Sequence, residues 1–190
     1  NPNGEFYGGN NVIDSLTCDS NITIASMGGP DYFKNVLLHS SVNIFCDVII
    51  DTLNFKGISN HLLLKNGSTL NVTSDFNFNG SCTGLSTIMS DVAGVQANIN
   101  ILDSLVNMEY VFVKDIALAG NSINPLFSYD GGNNSGWTIN STPIRTLYWV
   151  GGSGNWNDTS HWASVSGGIA GNCPPSPMDD IVFDTASFDT

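Results

Sequence analysis

The chain has 190 residues, with 17 acidic and 5 basic side chains and a net charge of −12. This balance argues against nucleic acid and anionic membranes as partners, because both attract proteins through Lys and Arg. Hydrophobic residues make up 41% and charged residues only 12%, which argues against disorder. A chain of this length can bury a core of its own.

The polar residues are mostly uncharged, with 24 Asn, 22 Ser and 13 Thr. The good helix formers Ala, Glu, Gln, Lys and Arg together number 16, so long helices are not expected. No run approaches the roughly 18 apolar residues of a membrane span, so membrane insertion is not expected either. The composition predicts an all-β protein, and its acidic, Asn- and Ser-rich, Lys-poor character suggests an extracellular one.

Short apolar alternations follow one another along the chain, beginning with Ile22 and Ile24. Alternate residues are apolar from 42 to 50 and again from 95 to 101, and this period of two predicts strands with a buried face. Between these runs, Asn66-Gly67 predicts a tight turn. No segment sustains a period of 3.6 residues.

A self-similar phrase occurs at residues 12–16, 49–53 and 101–105, and its Asp residues lie 37 and 52 positions apart. Irregular spacing of this kind fits a solenoid whose loops differ in length. We therefore predict a right-handed parallel β-helix, with a β-sandwich as the alternative. The composition shifts near residue 143, which divides the chain into a solenoid-like body, 1–143, and a short Trp- and Gly-rich β module, 144–190.

The second segment carries a recognisable phrase. Tyr148-Trp149 is followed by Gly151, Gly152 and Gly154, and then by the residues Asn155, Trp156, Asp158, His161 and Trp162. Downstream come Pro177, Asp179-Asp180, residues 181–184 and Ser187-Phe188. Upstream, at the end of the first segment, residues 130–137 read DGGNNSGW. These motifs resemble the repeats of giant secreted cell-surface adhesins of Bacteroidota, including the gliding-motility adhesin.

The resemblance implies that the chain holds the body of one repeat and the start of the next. It implies an extracellular, cell-surface location and a role in surface attachment or gliding. The implied partners are neighbouring repeats of the same chain and a surface polysaccharide or abiotic surface.

The resemblance also implies O-glycosylation at Asp-Ser/Thr followed by an aliphatic residue. The hydroxyl residues of such triplets are Ser15, Thr52, Ser104 and Thr185. The alternative is that these triplets are strand ends at which an acidic residue faces water.

Aromatic side chains offer a candidate ligand site, since their faces pack well on the apolar faces of sugar rings. The candidates are Tyr148, Trp149, Trp156 and Trp162. The alternative, which we favour, is that they form the core of a small β module.

Two acidic groups invite comparison with Ca²⁺ sites, namely residues 130–134 and the trio Asp179, Asp180 and Asp184. Residues 130–134 do not have the spacing of an EF-hand loop, and a Gly-rich turn explains them. No cofactor or metal is expected, with Ca²⁺ at either acidic group as the alternative. Four cysteines, Cys18, Cys46, Cys82 and Cys173, allow three full pairings. For Cys18 and Cys46, buried free thiols are as plausible as a disulfide.

The sequence does not favour catalysis. Cleavage of a glycoside needs two carboxyl groups with separate roles, and no local pattern here distinguishes an acid from a base. We therefore expect a non-catalytic adhesin repeat that acts as a stiff spacer or adhesive filament segment. A carbohydrate-binding module is the second hypothesis, and a β-helix polysaccharide-degrading enzyme is the third.

Overall fold

The computed structural model describes residues 4–8, 10–26, 28–102, 105–140, 144–176 and 178–188. The chain forms two compact units, Asn1–Ser141 and Thr142–Thr190. The described residues of both are built from strands and 3-10 turns, without an α-helix. In this part of the chain no helix is long and apolar enough to span a membrane.

Fourteen strands of the N-terminal unit lie within the described residues. In chain order they are β1 (Gly4–Gly8), β2 (Val12–Cys18), β3 (Ile22–Ser26), β4 (Asp31–Leu38), β5 (Val42–Ile44), β6 (Val48–Phe55), β7 (His61–Leu64), β8 (Thr69–Asn77), β9 (Ser86–Ser90), β10 (Ala97–Ile101), β11 (Leu105–Asn107), β12 (Val111–Lys114), β13 (Ile116–Gly120) and β14 (Tyr129–Asp130).

These strands form two parallel sheets. One has the order β1-β3-β5-β7-β9-β12-β14; the other has the order β13-β10-β8-β6-β4-β2, and β11 also pairs with β8. Up to β10, consecutive strands fall in alternate sheets. We call a pair of consecutive strands, one from each sheet, a rung. Antiparallel neighbours joined by hairpins, as in a sandwich of the immunoglobulin type, do not occur among the described strands of these sheets.

The core consists of inward-facing side chains aligned from rung to rung. In the first sheet, Ile22 pairs with Val42, Val42 with Leu62, and Leu62 with Ile88. In the second, Val36 pairs with Leu53 and Leu53 with Phe76. All of these side chains are buried and belong to one hydrophobic cluster with members from both sheets. Because parallel pairing keeps like residues in register, the aliphatic columns run through the unit.

Outward-facing positions carry polar columns. The Asn77 amide donates to Asn54 Oδ1 at 2.6 Å, and the Asn100 amide donates to Asn71 Oδ1 at 3.1 Å. Each pair joins neighbouring strands of the second sheet. These contacts account for part of the high Asn content, because an amide side chain both donates and accepts along such a column.

The paired positions explain the irregular spacing of the repeated phrase. Ser15 pairs with Asn35, and Asn35 pairs with Thr52, so the first two copies are equivalent positions two rungs apart. Thr52 pairs with Asp75 and Asp75 with Leu105, which again spans two rungs. The third copy is out of step, because Leu105 is the fifth residue of its copy and Thr52 the fourth. Asp103 and Ser104 lie outside the described residues.

The C-terminal unit has a three-stranded sheet. Its strands are β15 (Thr146–Trp149), β16 (Trp162–Ala163) and β17 (Asp180–Val182), in the order β16-β15-β17. Strand β15 pairs antiparallel with β16 and parallel with β17. Two 3-10 turns, Thr159–His161 and Thr185–Ser187, follow capping aspartates. Pro177 lies outside the described residues.

An aromatic cluster in the C-terminal unit

Strand pairing brings the two buried tryptophans together. Trp149 ends β15, Trp162 begins β16, and the two residues are direct partners in the antiparallel pair. Their rings meet edge to face, with centroids 5.0 Å apart and planes at 85°. This is a favourable arrangement for two aromatic quadrupoles.

Other aromatic rings surround this pair. His161 stacks on Trp149 at 4.5 Å, Trp156 meets Trp162 edge to face at 4.9 Å, and Phe183 lies 5.8 Å from Trp149 and 6.5 Å from Trp162. The cluster thus draws on β15, β16, the 3-10 turn before β16 and the residues after β17.

Hydrogen bonds from ring nitrogens fix the orientation of the cluster. Trp149 Nε1 donates to the carbonyl of Gly152 at 2.5 Å, and Trp162 Nε1 donates to the carbonyl of Trp156 at 2.8 Å. The His161 Nδ1 atom lies 2.8 Å from the carbonyl oxygen of Val150. Buried indole N–H groups need such partners, and here the loop between the two strands supplies them.

The phrase that resembles adhesin repeats therefore has local structural roles. Gly151 and Gly152 have φ angles of 82° and 75°, which suit glycine better than any other residue. The Asp158 carboxylate accepts from the backbone N–H of Ser160 and caps the 3-10 turn. These residues shape the loop and turn around the core of the unit, which consists of the buried Leu147, Trp149 and Trp162.

Exposure separates the four predicted ligand-binding residues. Trp149 and Trp162 are buried, Tyr148 is half-buried, and Trp156 is 43% exposed. Burial withdraws the first two from contact with a sugar, as the core alternative requires. Of the four, Trp156 alone presents a large surface to solvent.

Two phenylalanines enlarge the exposed aromatic surface. Phe183 and Phe188 stack at 6.0 Å with planes 9° apart, and their side chains are 52% and 60% exposed. We call Trp156, Phe183 and Phe188 the aromatic rim. Both phenylalanines belong to the phrase that resembles adhesin repeats, but they are not among the ligand contacts predicted from the sequence.

Three of the acidic residues considered for Ca²⁺, namely Asp130, Asp179 and Asp184, have side-chain partners within the protein. Arg145 binds both carboxylate oxygens of the buried Asp179, with its Nη2 atom 2.5 Å from Oδ2. Burial alone would raise the pKa of Asp179. Hydrogen bonds from the Arg145 guanidinium and from the backbone of Ser176 and Arg145 outweigh this and lower it to about 2.

The remaining acidic groups make turn contacts. Asp184 accepts from the backbone N–H of Ala186, and Asp130 accepts from Gly132 N–H at 2.9 Å and from the Asn134 amide at 2.6 Å. The described residues contain no group of three or more His, Cys, Asp or Glu placed to hold a metal ion. Binding of Ca²⁺ at either group stays a prediction.

Three of the four predicted glycosylation residues lie in the described structure. Ser15 and Thr185 are exposed, and Thr52 is half-buried; Ser104 lies outside the described residues. Asp14, which precedes Ser15, forms an exposed ion pair with Lys34. Asp51, which precedes Thr52, accepts hydrogen bonds from Thr73 and Tyr32, and these lower its pKa.

The cysteines fall into two classes. Cys18 and Cys46 are free and half-buried, and burial, followed by nearby aspartates, raises the pKa of both thiols. Such thiols are poor nucleophiles at neutral pH. Cys82 and Cys173 are disulfide-bonded.

No family model, curated protein or solved structure matches this chain.

Proposed function

We propose that the chain is a non-catalytic, extracellular segment of a large bacterial surface adhesin, in which it serves as a stiff spacer. In this proposal the N-terminal unit is a right-handed parallel β-helix and the C-terminal unit begins a further module. The adhesin family, the Bacteroidota source and a role in attachment or gliding come from the sequence resemblance.

One observation carries the proposal: consecutive strands alternate between two parallel sheets whose residues stay in register from rung to rung. Each rung repeats the hydrogen bonding and aliphatic stacking of its neighbour. An architecture of this kind grows by adding rungs along one direction. Growth along one direction suits a segment that must separate a binding region from a cell surface.

The surface chemistry supports the same role. The net charge of −12 keeps such segments soluble and apart from one another. Along the outer face, Asn54 forms a side-chain hydrogen bond with Asn77 and Asn71 forms one with Asn100, each across neighbouring strands. These neutral amide pairs place polar groups on the outer face of the sheet.

The mechanism is multivalent. Many such segments in series would hold weak binding sites at high effective concentration, so that individually weak contacts add to firm attachment. Neighbouring repeats, together with a polysaccharide or abiotic surface, are the partners in this scheme.

A second function, carbohydrate binding by the C-terminal unit, is favoured by one observation. The aromatic rim exposes three large rings, two of them stacked with planes 9° apart. Flat, exposed aromatic faces are suited to the apolar faces of sugar rings. The rim gives this alternative a defined surface for testing.

A glycan array tests these functions. The labelled 190-residue chain is applied with Ca²⁺ and, separately, with chelator. Saturable binding that Trp156→Ala or Phe188→Ala abolishes, in a folded variant, would establish carbohydrate recognition by the rim. Release of new reducing ends would establish the polysaccharide-degrading enzyme and overturn the spacer. The spacer hypothesis expects neither result from the C-terminal unit.

A further inference from the structure

Two stacked aromatic side chains lie at one corner of the N-terminal unit. Phe112 pairs with Tyr129, so Tyr110 and Phe127, each two residues earlier, occupy equivalent positions just before two adjacent strands. Their ring centroids are 5.0 Å apart, with planes at 19°. Phe127 is 52% exposed and its neighbour Leu126 is 57% exposed. In the described part of the chain β14 is the last strand of this sheet.

The backbone at this corner is unusual for aromatic residues. Tyr110 and Phe127 have φ angles of 54° and 51°, a left-handed conformation that bulky side chains rarely adopt. Ser59, two residues before His61, lies at the equivalent corner of an earlier rung, with a φ of 60°. A left-handed residue therefore recurs at this corner, although not at Leu85 in the rung between, and it need not be aromatic. Strain at an exposed aromatic residue is typical of a functional position.

Charge indicates what kind of ligand fits. Glu109 precedes Tyr110 and bridges to Leu126 across the two strands, which places it beside the aromatic pair. It is half-buried, and neither ion pair found among the described residues involves it. Aromatic faces attract cations through their quadrupole. The Glu109 carboxylate and the net charge of −12 attract cations as well.

We infer that this corner, Glu109 with Tyr110, Leu126 and Phe127, binds amino-sugar residues of a polysaccharide. The sugar ring packs on the open face of Phe127, and its ammonium group is drawn to the Glu109 carboxylate. The choice of a polysaccharide over other cationic ligands rests on the proposed extracellular role. The corner lies in the N-terminal unit and is distinct from the aromatic rim.

The test is calorimetric titration of the full chain, in mildly acidic buffer, with glucosamine oligomers, N-acetylglucosamine oligomers and cello-oligosaccharides. We expect the glucosamine oligomers to bind at least about tenfold more tightly than the other two. Phe127→Asn should weaken this binding by about tenfold or more, and its melting temperature should stay the same or rise, because Asn tolerates a φ near 51°. Glu109→Gln should weaken binding and reduce its salt dependence.

Matched controls are available in the same chain. Val95→Asn removes another exposed apolar side chain, 46% exposed, and Glu5→Gln makes the same charge change at the other glutamate. Both should bind as the parent does. A lower melting temperature in Phe127→Asn would assign Phe127 to structural packing and overturn the inference. Equal affinity for acetylated and free amines would also overturn it, as would equal affinity in Phe127→Asn and the parent chain.

Absence of binding to all three oligomers would overturn the inference too. The spacer proposal would survive that outcome, since it is tested separately by pulling single chains between their ends. Resistance to extension with stepwise loss of rungs would support the spacer proposal, and extension without resistance would contradict it. The two failures are therefore distinguishable.

Discussion

The imidazole of His161 lies parallel to the indole of Trp149, with ring centroids 4.5 Å apart and an angle of 4° between their planes. Gly154 lies against the same imidazole: a Cβ atom added there would be 1.9 Å from His161 Nε2. The glycine-rich loop after β15 is thus shaped to fit around a histidine ring, and the aromatic core depends on this close approach.

Gly154→Ala should destabilise the C-terminal unit by about 1–3 kcal/mol, because the new methyl group displaces His161 from its stack. Urea unfolding followed by tryptophan fluorescence measures the loss. Ser153→Ala alters the adjacent, exposed residue and should leave the free energy of unfolding within about 0.5 kcal/mol of the parent. Equal stabilities for the two variants would show that the loop moves away from the ring at little cost.

Much of the inside–outside pattern of the N-terminal unit is readable from the sequence. In the alternating run from 42 to 50, the apolar residues Val42, Ile44, Val48 and Ile50 are all buried, as their period of two predicts. The all-β class follows from composition, since few residues favour a helix. Burial patterning is local information, and the sequence carries it directly.

Strand partners are not readable in this way. The run from 42 to 50 looks continuous, yet it divides into β5 and β6 in different sheets, because the corner at 45–47 preserves the alternation. Likewise Asn66-Gly67 does form a turn, but β7 and β8 on either side of it belong to different sheets. In the N-terminal unit, the described parallel pairs join residues up to 30 positions apart, as from Asp75 to Leu105, and no local signal specifies such distances.

The candidate site was readable only in part. The clustering of Trp149, Trp156 and Trp162 in sequence indicated an aromatic group, but not which rings are buried. Exposure of Phe183 depends on β17 pairing with β15, a contact between residues 34 positions apart, as in Leu147 with Ile181. The corner at Tyr110 and Phe127 has no sequence signal, because its φ angles arise from the path between sheets.

Inward and outward residues of β6 should differ sharply in their contribution to stability. Leu53→Ala removes a fully buried side chain between Val36 and Phe76 and should cost about 2–5 kcal/mol. Ile49→Ala, on the outward, half-exposed side of the same strand, should cost less than about 1 kcal/mol. Urea denaturation of both variants measures the difference. Similar losses would contradict the assignment of the core face.

Glycosylation, if the family resemblance holds, should follow exposure. Ser15 and Thr185 are exposed and Thr52 is half-buried beside an Asp51 already bound by Thr73 and Tyr32. The chain is expressed in a Bacteroidota host and its peptides are mapped by mass spectrometry. Glycan occupancy should be higher at Ser15 and Thr185 than at Thr52. Ser15→Ala and Thr185→Ala should each remove one glycan mass. An unmodified chain would support the alternative, in which these aspartates serve only hydrogen bonds and caps.

The Arg145–Asp179 ion pair should make the C-terminal unit sensitive to acid. The folded-state pKa of Asp179 is about 2, below the ordinary value of 3.8, so the folded state favours the charged carboxylate. Its stabilisation is therefore complete above about pH 4 and is lost as the pH falls towards 2. Because the Arg145 side chain is 34% exposed, solvent screening limits the loss to about 1–2 kcal/mol.

Urea unfolding between about pH 5 and pH 2, monitored by the fluorescence of Trp149 and Trp162, measures this loss. Asp179→Asn removes the titrating group, so the difference in unfolding free energy between parent and variant should shrink as the pH falls through this range. Asp180→Asn, at an exposed neighbour, should track the parent. A parent–variant difference that stays constant from pH 5 to pH 2 would mean that Asp179 has an ordinary pKa and that the ion pair contributes little to the fold.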